Sequence, residues 1–101
     1  MKKIVSTPKA PSAIGPYNQA TTFDKLVFTS GQIALNPETM EIVAGGVQEQ
    51  TKQVMENLKA VLEEAGSSFE NVLKTTCYLS DMDNFVAFNE VYGQYFKSET
   101  A

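Results

Sequence analysis

The sequence contains no histidine, and all eight of its cations are lysine, so arginine is missing as well. Without His there can be no Ser-His-Asp or Cys-His catalytic set and no His-ligated metal site. Without Arg the chain lacks the fork-shaped donor that grips a carboxylate or phosphate through two parallel bonds. A single cysteine, Cys77, cannot close an intrachain disulfide, which fits a reducing compartment. No apolar run approaches the roughly 20 residues of a membrane span. No apolar segment follows the basic start, MKKIVSTPK, which argues against a signal peptide. Positive charge is scarce: 12 acidic residues against 8 lysines leave a net charge of −4. Such a surface argues against a nucleic-acid backbone as main partner. No glycine-rich phosphate loop is present, and no carboxylate pair stands at a telling spacing.

What is present is one strong apolar period. The 101 residues suffice for one domain, 1–101, with a modest core. Within 46–66, Val47, Thr51, Val54, Met55, Leu58, Val61, Leu62 and Ala65 recur at steps of three and four, the stripe of an α-helix. Gln48, Glu49, Lys52, Gln53, Glu56, Lys59 and Glu63 fall on the solvated side. Gly45-Gly46 frees the start, and Gly66 stands where a left-handed C-cap is wanted. A stripe of that length needs a broad partner, and the flanking β-rich segments suggest a sheet.

Residues 3–6 read as a short edge strand, followed by an extended path through Pro8 and Pro11. Gly15-Pro16 makes a turn ahead of a strand over 17–23, and Asp24-Lys25 is a plausible hairpin connection. Residues 25–33, KLVFTSGQI, form the best strand candidate. Asn36-Pro37-Glu38-Thr39 is a turn, after which 41–43 can pair briefly. A second strand candidate spans 72–79 and, following a helix, could lie parallel to its neighbour through a right-handed crossover. Ser80-Asp81-Met82-Asp83 offers N-cap oxygens for a helix over 84–96. Its stripe is Phe85, Phe88, Asn89, Tyr92, Tyr95 and Phe96. Gly93 inside it costs about 1 kcal/mol relative to Ala, which points to a compensating close contact.

Few residues stand out chemically. Asn89 interrupts an aromatic stripe, so its carboxamide either satisfies buried backbone or lines a pocket. Ser30-Gly31-Gln32 breaks a good strand, marking a bulge or the close approach of something bound. Tyr17 is a rim residue of the core or a pocket phenol. Cys77, in a strand with no His or Arg nearby in sequence, reads as an inert buried thiol. These residues describe an α+β domain with a small polar pocket near Tyr17, Ser30-Gly31 and Asn89, and by themselves name no function.

The motifs Ala13-Ile14-Gly15-Pro16-Tyr17, Thr29-Ser30-Gly31-Gln32-Ile33, Asn36-Pro37, Lys74-Thr75-Thr76, Asp83-Asn84-Phe85 and Asn89-Glu90-Val91-Tyr92 run in order through residues 3–96. Together they resemble the RidA/YjgF family of reactive-intermediate deaminases. The resemblance implies a chorismate-mutase-like α+β fold, a mixed sheet with two helices packed on one face. It implies a homotrimer whose sheets form a central barrel, with ligand pockets at the subunit interfaces. It implies cytoplasmic hydrolysis of 2-iminobutanoate and 2-iminopropanoate to 2-oxo acids and ammonia, with no metal and no organic cofactor. By position, Tyr17 resembles the pocket tyrosine, which makes it the catalytic candidate. Ser30 and Gly31 resemble the strand-end residues whose backbone meets the bound carboxylate or carbonyl. Asn89 resembles the helix residue lining the same pocket.

The family pattern continues with a Pro-Ala-Arg segment and a final strand bearing an acidic residue, the Arg clamping the substrate carboxylate and the Glu placing the water. This sequence reads Lys97-Ser98-Glu99-Thr100-Ala101 just before that segment, so the resemblance implies an incomplete, impaired chain. The alternatives are a non-catalytic or chaperone-like trimer that binds small 2-oxo acids, and a structural fragment that acts only when complemented.

Overall fold

Residues 1–96 are described by a computed structural model, and their longest element is α1, Val47–Glu64, inside the 46–66 span that the apolar period predicts. The expectation about 97–101 lies outside the described residues. Thr51, Met55, Val61 and Leu62 of the stripe are buried, while Val47, Val54, Leu58 and Ala65 are half-buried. Both ends of α1 are built as glycine placement suggests. Gly45 turns the chain at φ +110°, where an added Cβ would come 2.7 Å from Glu49 Cγ. The Glu49 carboxylate accepts from the Gly46 N–H at 2.9 Å, a first-turn contact that also suits the helix dipole. At the other end Gly66 sits at φ +80°. The Ser67 N–H donates to Leu62 O at 2.8 Å and the Gly66 N–H to Glu63 O at 3.0 Å, the paired bonds of a Schellman motif.

Three strands, β1 (Lys2–Val5), β2 (Ala20–Phe23) and β3 (Leu26–Thr29), form an antiparallel sheet in the order β1-β2-β3. Val5 pairs with Ala20 and Ala20 with Thr29, while Ile4 pairs with Thr21 and Thr21 with Phe28. Asp24-Lys25 is the hairpin connection, with Asp24 at φ 55°, a left-handed conformation that Asp tolerates better than most residues. Alternation turns Val5, Ala20 and Val27 towards α1, where they meet Ala60, Val61 and Ala65, with Ala10 closing the cluster. The other face of the sheet carries Ile4, Phe23, Leu26 and Phe28, all exposed. After the sheet, Asn36 Oδ1 accepts from the N–H groups of Glu38 (2.8 Å) and Thr39 (3.3 Å), and Leu35 bridges Ile42. The expected turn and the brief pairing after it are therefore both present.

β2 and β3 are shorter than the sequence suggests, while β1 keeps four residues one position earlier than expected. β2 starts at Ala20 rather than at residue 17, because Tyr17 is tied into a turn, its N–H donating to Gly15 O at 2.8 Å, and the Gln19 side chain is committed to the preceding loop. β3 ends at Thr29, opposite Ala20, and one further bond, Ser30 N–H to Gln19 O at 3.0 Å, closes the hairpin.

Helix α2, Phe85–Tyr95, follows a short 3-10 turn at Met82–Asn84. The turn is capped by Asp81, whose carboxylate accepts from the Asp83 N–H at 2.9 Å. α2 lies beside α1: Gln48 Nε2 donates to Ala87 O at 3.3 Å and Glu90 Oε2 at 2.8 Å, and Tyr95 Oη donates to Glu56 Oε2 at 2.7 Å. Phe69 meets Tyr95 and Phe96 edge-on, with centroids 5.5 and 5.0 Å apart. Of the expected stripe Phe96 is buried, Phe88, Tyr92 and Tyr95 are half-buried, and Phe85 and Asn89 are exposed. With α1 covering one sheet face and α2 alongside it, the arrangement is the expected α+β fold.

The expected strand over 72–79 forms no ladder among the described residues, so the sheet there is antiparallel and not mixed. A strand satisfies its N–H and C=O groups only against a neighbour. The loop after α1 instead delivers this segment to α2, where the Thr75 and Tyr92 hydroxyls share a hydrogen bond of 2.5 Å. Cys77 is consequently exposed, not buried as expected. The close contact expected at Gly93 is also absent among the described residues: nothing lies within 4 Å of a Cβ built there.

Candidate functional site

Two irregular stretches face one another across a cavity of about 200 Å³. One wall is Pro11, Ser12, Ile14 and Tyr17; the other is Gly31, Gln32, Ile33 and Leu35. Gln19 joins them. Its side-chain amide bonds the first wall, with Nε2 2.8 Å from Pro11 O. Its backbone carbonyl accepts from Ser30 at the start of the second. Gly15-Pro16 sets the turn that presents Tyr17, which is 47% exposed and so reachable by solvent and solute. The second wall begins where β3 runs out of partner. None of the hydrogen bonds among the described residues uses the N–H groups of Gly31, Gln32 or Ile33. N–H groups without a partner on a cavity wall that faces a phenol can donate to an anionic or carbonyl oxygen. Gly31 lies past the end of β3 with nothing within 4 Å of a built Cβ, so neither a bulge nor a clash demands glycine within the single chain.

Tyr17 and Gly31 thus line one cavity. Ser30 does not; its Oγ donates to Asn18 O and its N–H to Gln19 O, so its polar groups tie the hairpin end to the Tyr17 loop. Asn89 sits exposed on α2 and is not among the residues lining this cavity. A wider cleft of about 320 Å³ runs along α1 past Lys9, Glu56, Lys59 and Glu63, with charges of both signs and none of the candidate residues. Among the described residues no group of three His, Cys, Asp or Glu side chains converges on a metal position.

Two residues that the sequence reading passed over matter here. Gln19 is 4% exposed and Asn57 is 1% exposed. Asn57 Nδ2 donates to Ile33 O at 3.1 Å and Leu35 O at 2.9 Å, and its Oδ1 accepts from Gln53 Nε2 at 2.9 Å. The one available signal was position: Asn57 stands a helical turn before the core residue Val61, on the flank of the apolar stripe.

Comparison with known proteins adds an independent line. The family model described as Endoribonuclease L-PSP matches residues 7–101. The RutC family protein slr0709 of Synechocystis is 55% identical over 100 residues, spanning 98% of this chain and 77% of that protein. Human 2-iminobutanoate/2-iminopropanoate deaminase is 47% identical over 98 residues, spanning 97% of this chain and 72% of the human protein. The solved structure of YyfA from Yersinia pestis, a member of the Rid family, superposes with a TM-score of 0.94 at 40% identity, covering 100% of this chain and 80% of that one.

Proposed function

Because the chain belongs to the Endoribonuclease L-PSP family, the family of the RidA/YjgF proteins, we propose that it acts on reactive 2-imino acids in the cavity of Tyr17 and Gly31. The reaction is hydrolysis of 2-iminobutanoate or 2-iminopropanoate to the 2-oxo acid and ammonia. Water adds to the imine carbon, and the resulting carbinolamine expels ammonia as the C=O bond forms. The substrate carboxylate lies against the N–H groups of Gly31, Gln32 and Ile33, and the Tyr17 hydroxyl donates to the reacting centre or its water. Main-chain donors matter because no Arg is available within these 101 residues. The observation that carries the reading is that Tyr17 shares one small cavity with Gly31, Gln32 and Ile33, whose N–H groups have no hydrogen-bond partner among the described residues. The family model has the name of a ribonuclease, but a net charge of −4 argues against a phosphate backbone as substrate.

The acting unit we propose is a cytoplasmic homotrimer. The uncovered sheet face, with Ile4, Phe23, Leu26 and Phe28 in solvent, supports association through that face. In this assembly the cavity and Asn89 meet across the seam between neighbouring copies. One alternative is a trimer that binds 2-oxo acids without turnover.

Freshly generated 2-iminobutanoate mixed with the protein tests both readings. Faster appearance of 2-oxobutanoate than in buffer supports hydrolysis; saturable 2-oxobutanoate binding without turnover supports the alternative. Tyr17→Phe keeps the ring and removes the hydroxyl, so it should weaken 2-oxobutanoate binding by roughly 1 kcal/mol with the melting temperature unchanged. Equal affinity in calorimetric titrations of both forms removes Tyr17 from the site.

A further inference from the structure

Neither cavity wall belongs to a helix or a ladder strand, and beyond the single bridge from Leu35 to Ile42 no β-pairing holds it in place. Two buried carboxamides add side-chain ties to both walls. Gln19 Nε2 shares its two hydrogens among the carbonyls of Thr7 (3.0 Å), Ala10 (3.2 Å) and Pro11 (2.8 Å), and its Oε1 accepts from the Thr7 N–H at 2.6 Å. Asn57 reaches the opposite wall from α1, gripping the carbonyls of Ile33 and Leu35. Carbonyl oxygens only accept, so the orientation of both amides is dictated by their partners. Among the described residues no buried side-chain nitrogen or oxygen is left without a partner, so both amides are fully engaged.

The geometry points to Gln19 and Asn57 as positioning residues that together set the separation of the two cavity walls, and through it the affinity for a 2-oxo acid. This rests on the functional reading above. The carbonyls that Asn57 holds belong to Ile33 and Leu35, directly beside the uncommitted amides of Gly31, Gln32 and Ile33. The carbonyls that Gln19 holds end at Pro11, the first residue of the Tyr17 wall. A displacement of about an ångström in either wall would spoil the convergence of donors on one ligand. A carboxylate cannot substitute for either amide, because it would face carbonyl oxygens with no hydrogen to offer.

The test compares Gln19→Glu and Asn57→Asp with Leu62→Ala, a change at a buried α1 residue that bonds neither wall. The probe is 2-oxobutanoate, followed by amide chemical shifts in the full chain. Both wall variants should bind on the order of tenfold more weakly, whereas Leu62→Ala should keep the original affinity while melting earlier. Unchanged affinity in the wall variants overturns the inference and leaves the functional reading standing. Should either variant fail to fold, Gln53→Ala removes only the bond to the Asn57 amide oxygen. A loss of roughly threefold in affinity supports the inference and no loss refutes it. If the unsubstituted chain itself does not bind 2-oxobutanoate, the functional reading fails. The positioning claim is then decided by the ligand-free shifts of 11–14 and 31–35: moved in the wall variants but not in Leu62→Ala, it holds; unmoved, it falls.

Discussion

Residues 26–29, LVFT, and residues 72–79, VLKTTCYL, are both rich in β-branched and aromatic side chains, yet only the first is paired. β3 meets β2 across the two-residue connection Asp24-Lys25, so closing the loop between them costs little entropy. Residues 72–79 find no strand within reach among residues 1–96, and Leu73 stays 83% exposed and Tyr78 92% exposed. The difference teaches that strand propensity describes side chains that suit a pleated, half-buried surface; whether the surface exists is decided elsewhere in the chain. The helices repeat the lesson. α1 has a sheet beneath it and five buried residues; α2 leans on α1 and has none.

Substitutions can sharpen or break this contrast. The largest effect belongs to α1. Met55→Ala should cost about 2–5 kcal/mol in urea unfolding, whereas Leu73→Ala should leave stability nearly unchanged. A substantial loss from Leu73→Ala would mean that the 72–79 segment is covered in solution. Glycines give a contrast of sign. Gly66→Ala places a side chain at φ +80° and should cost about 1–2 kcal/mol. Gly93→Ala enters open space in a helix and should gain about 0.5–1 kcal/mol. Destabilisation by Gly93→Ala would reveal a neighbour seated on the outer side of α2. The smallest effect is the tie between the helices. Burial, then the hydrogen bond from the phenol to the Glu56 carboxylate and the charge of that group, push the Tyr95 phenol from 10.0 up to about 12. Because the folded value is raised, the tie contributes fully below pH about 10 and is lost as pH rises through about 12. Tyr95→Phe should cost about 0.5–1.5 kcal/mol at neutral pH and flatten that alkaline decline, as unfolding curves at several pH values would show.

Much of the fold was legible because it is written in local patterns. The period of α1, its flanking glycines, the Asp24-Lys25 connection and the Asn36 turn each depend on residues close together in the chain. The candidate cavity was legible only in part. Tyr17 and Gly31 stand out by type, one as a phenol after a Gly-Pro turn and one as a glycine in a strand-like run, and they do share a cavity. Asn57 does not stand out, because hydropathy scores a carboxamide as solvent-seeking wherever it stands. Its role depends on carbonyls 22 and 24 residues earlier, which only the folded chain brings near. Gln19 is hidden for the same reason, its acceptors lying in a loop with no pattern of its own. Strand ends were overestimated because residue type does not reveal where the partner stops.

The exposed thiol of Cys77 has a practical consequence. It is the single cysteine in the sequence and stands in a stretch with no strand partner among the described residues, so a maleimide dye placed there would report on that stretch alone. Its emission would shift, and its labelling slow, whenever another surface came to rest against the segment, turning an exposed stretch into its own gauge of assembly.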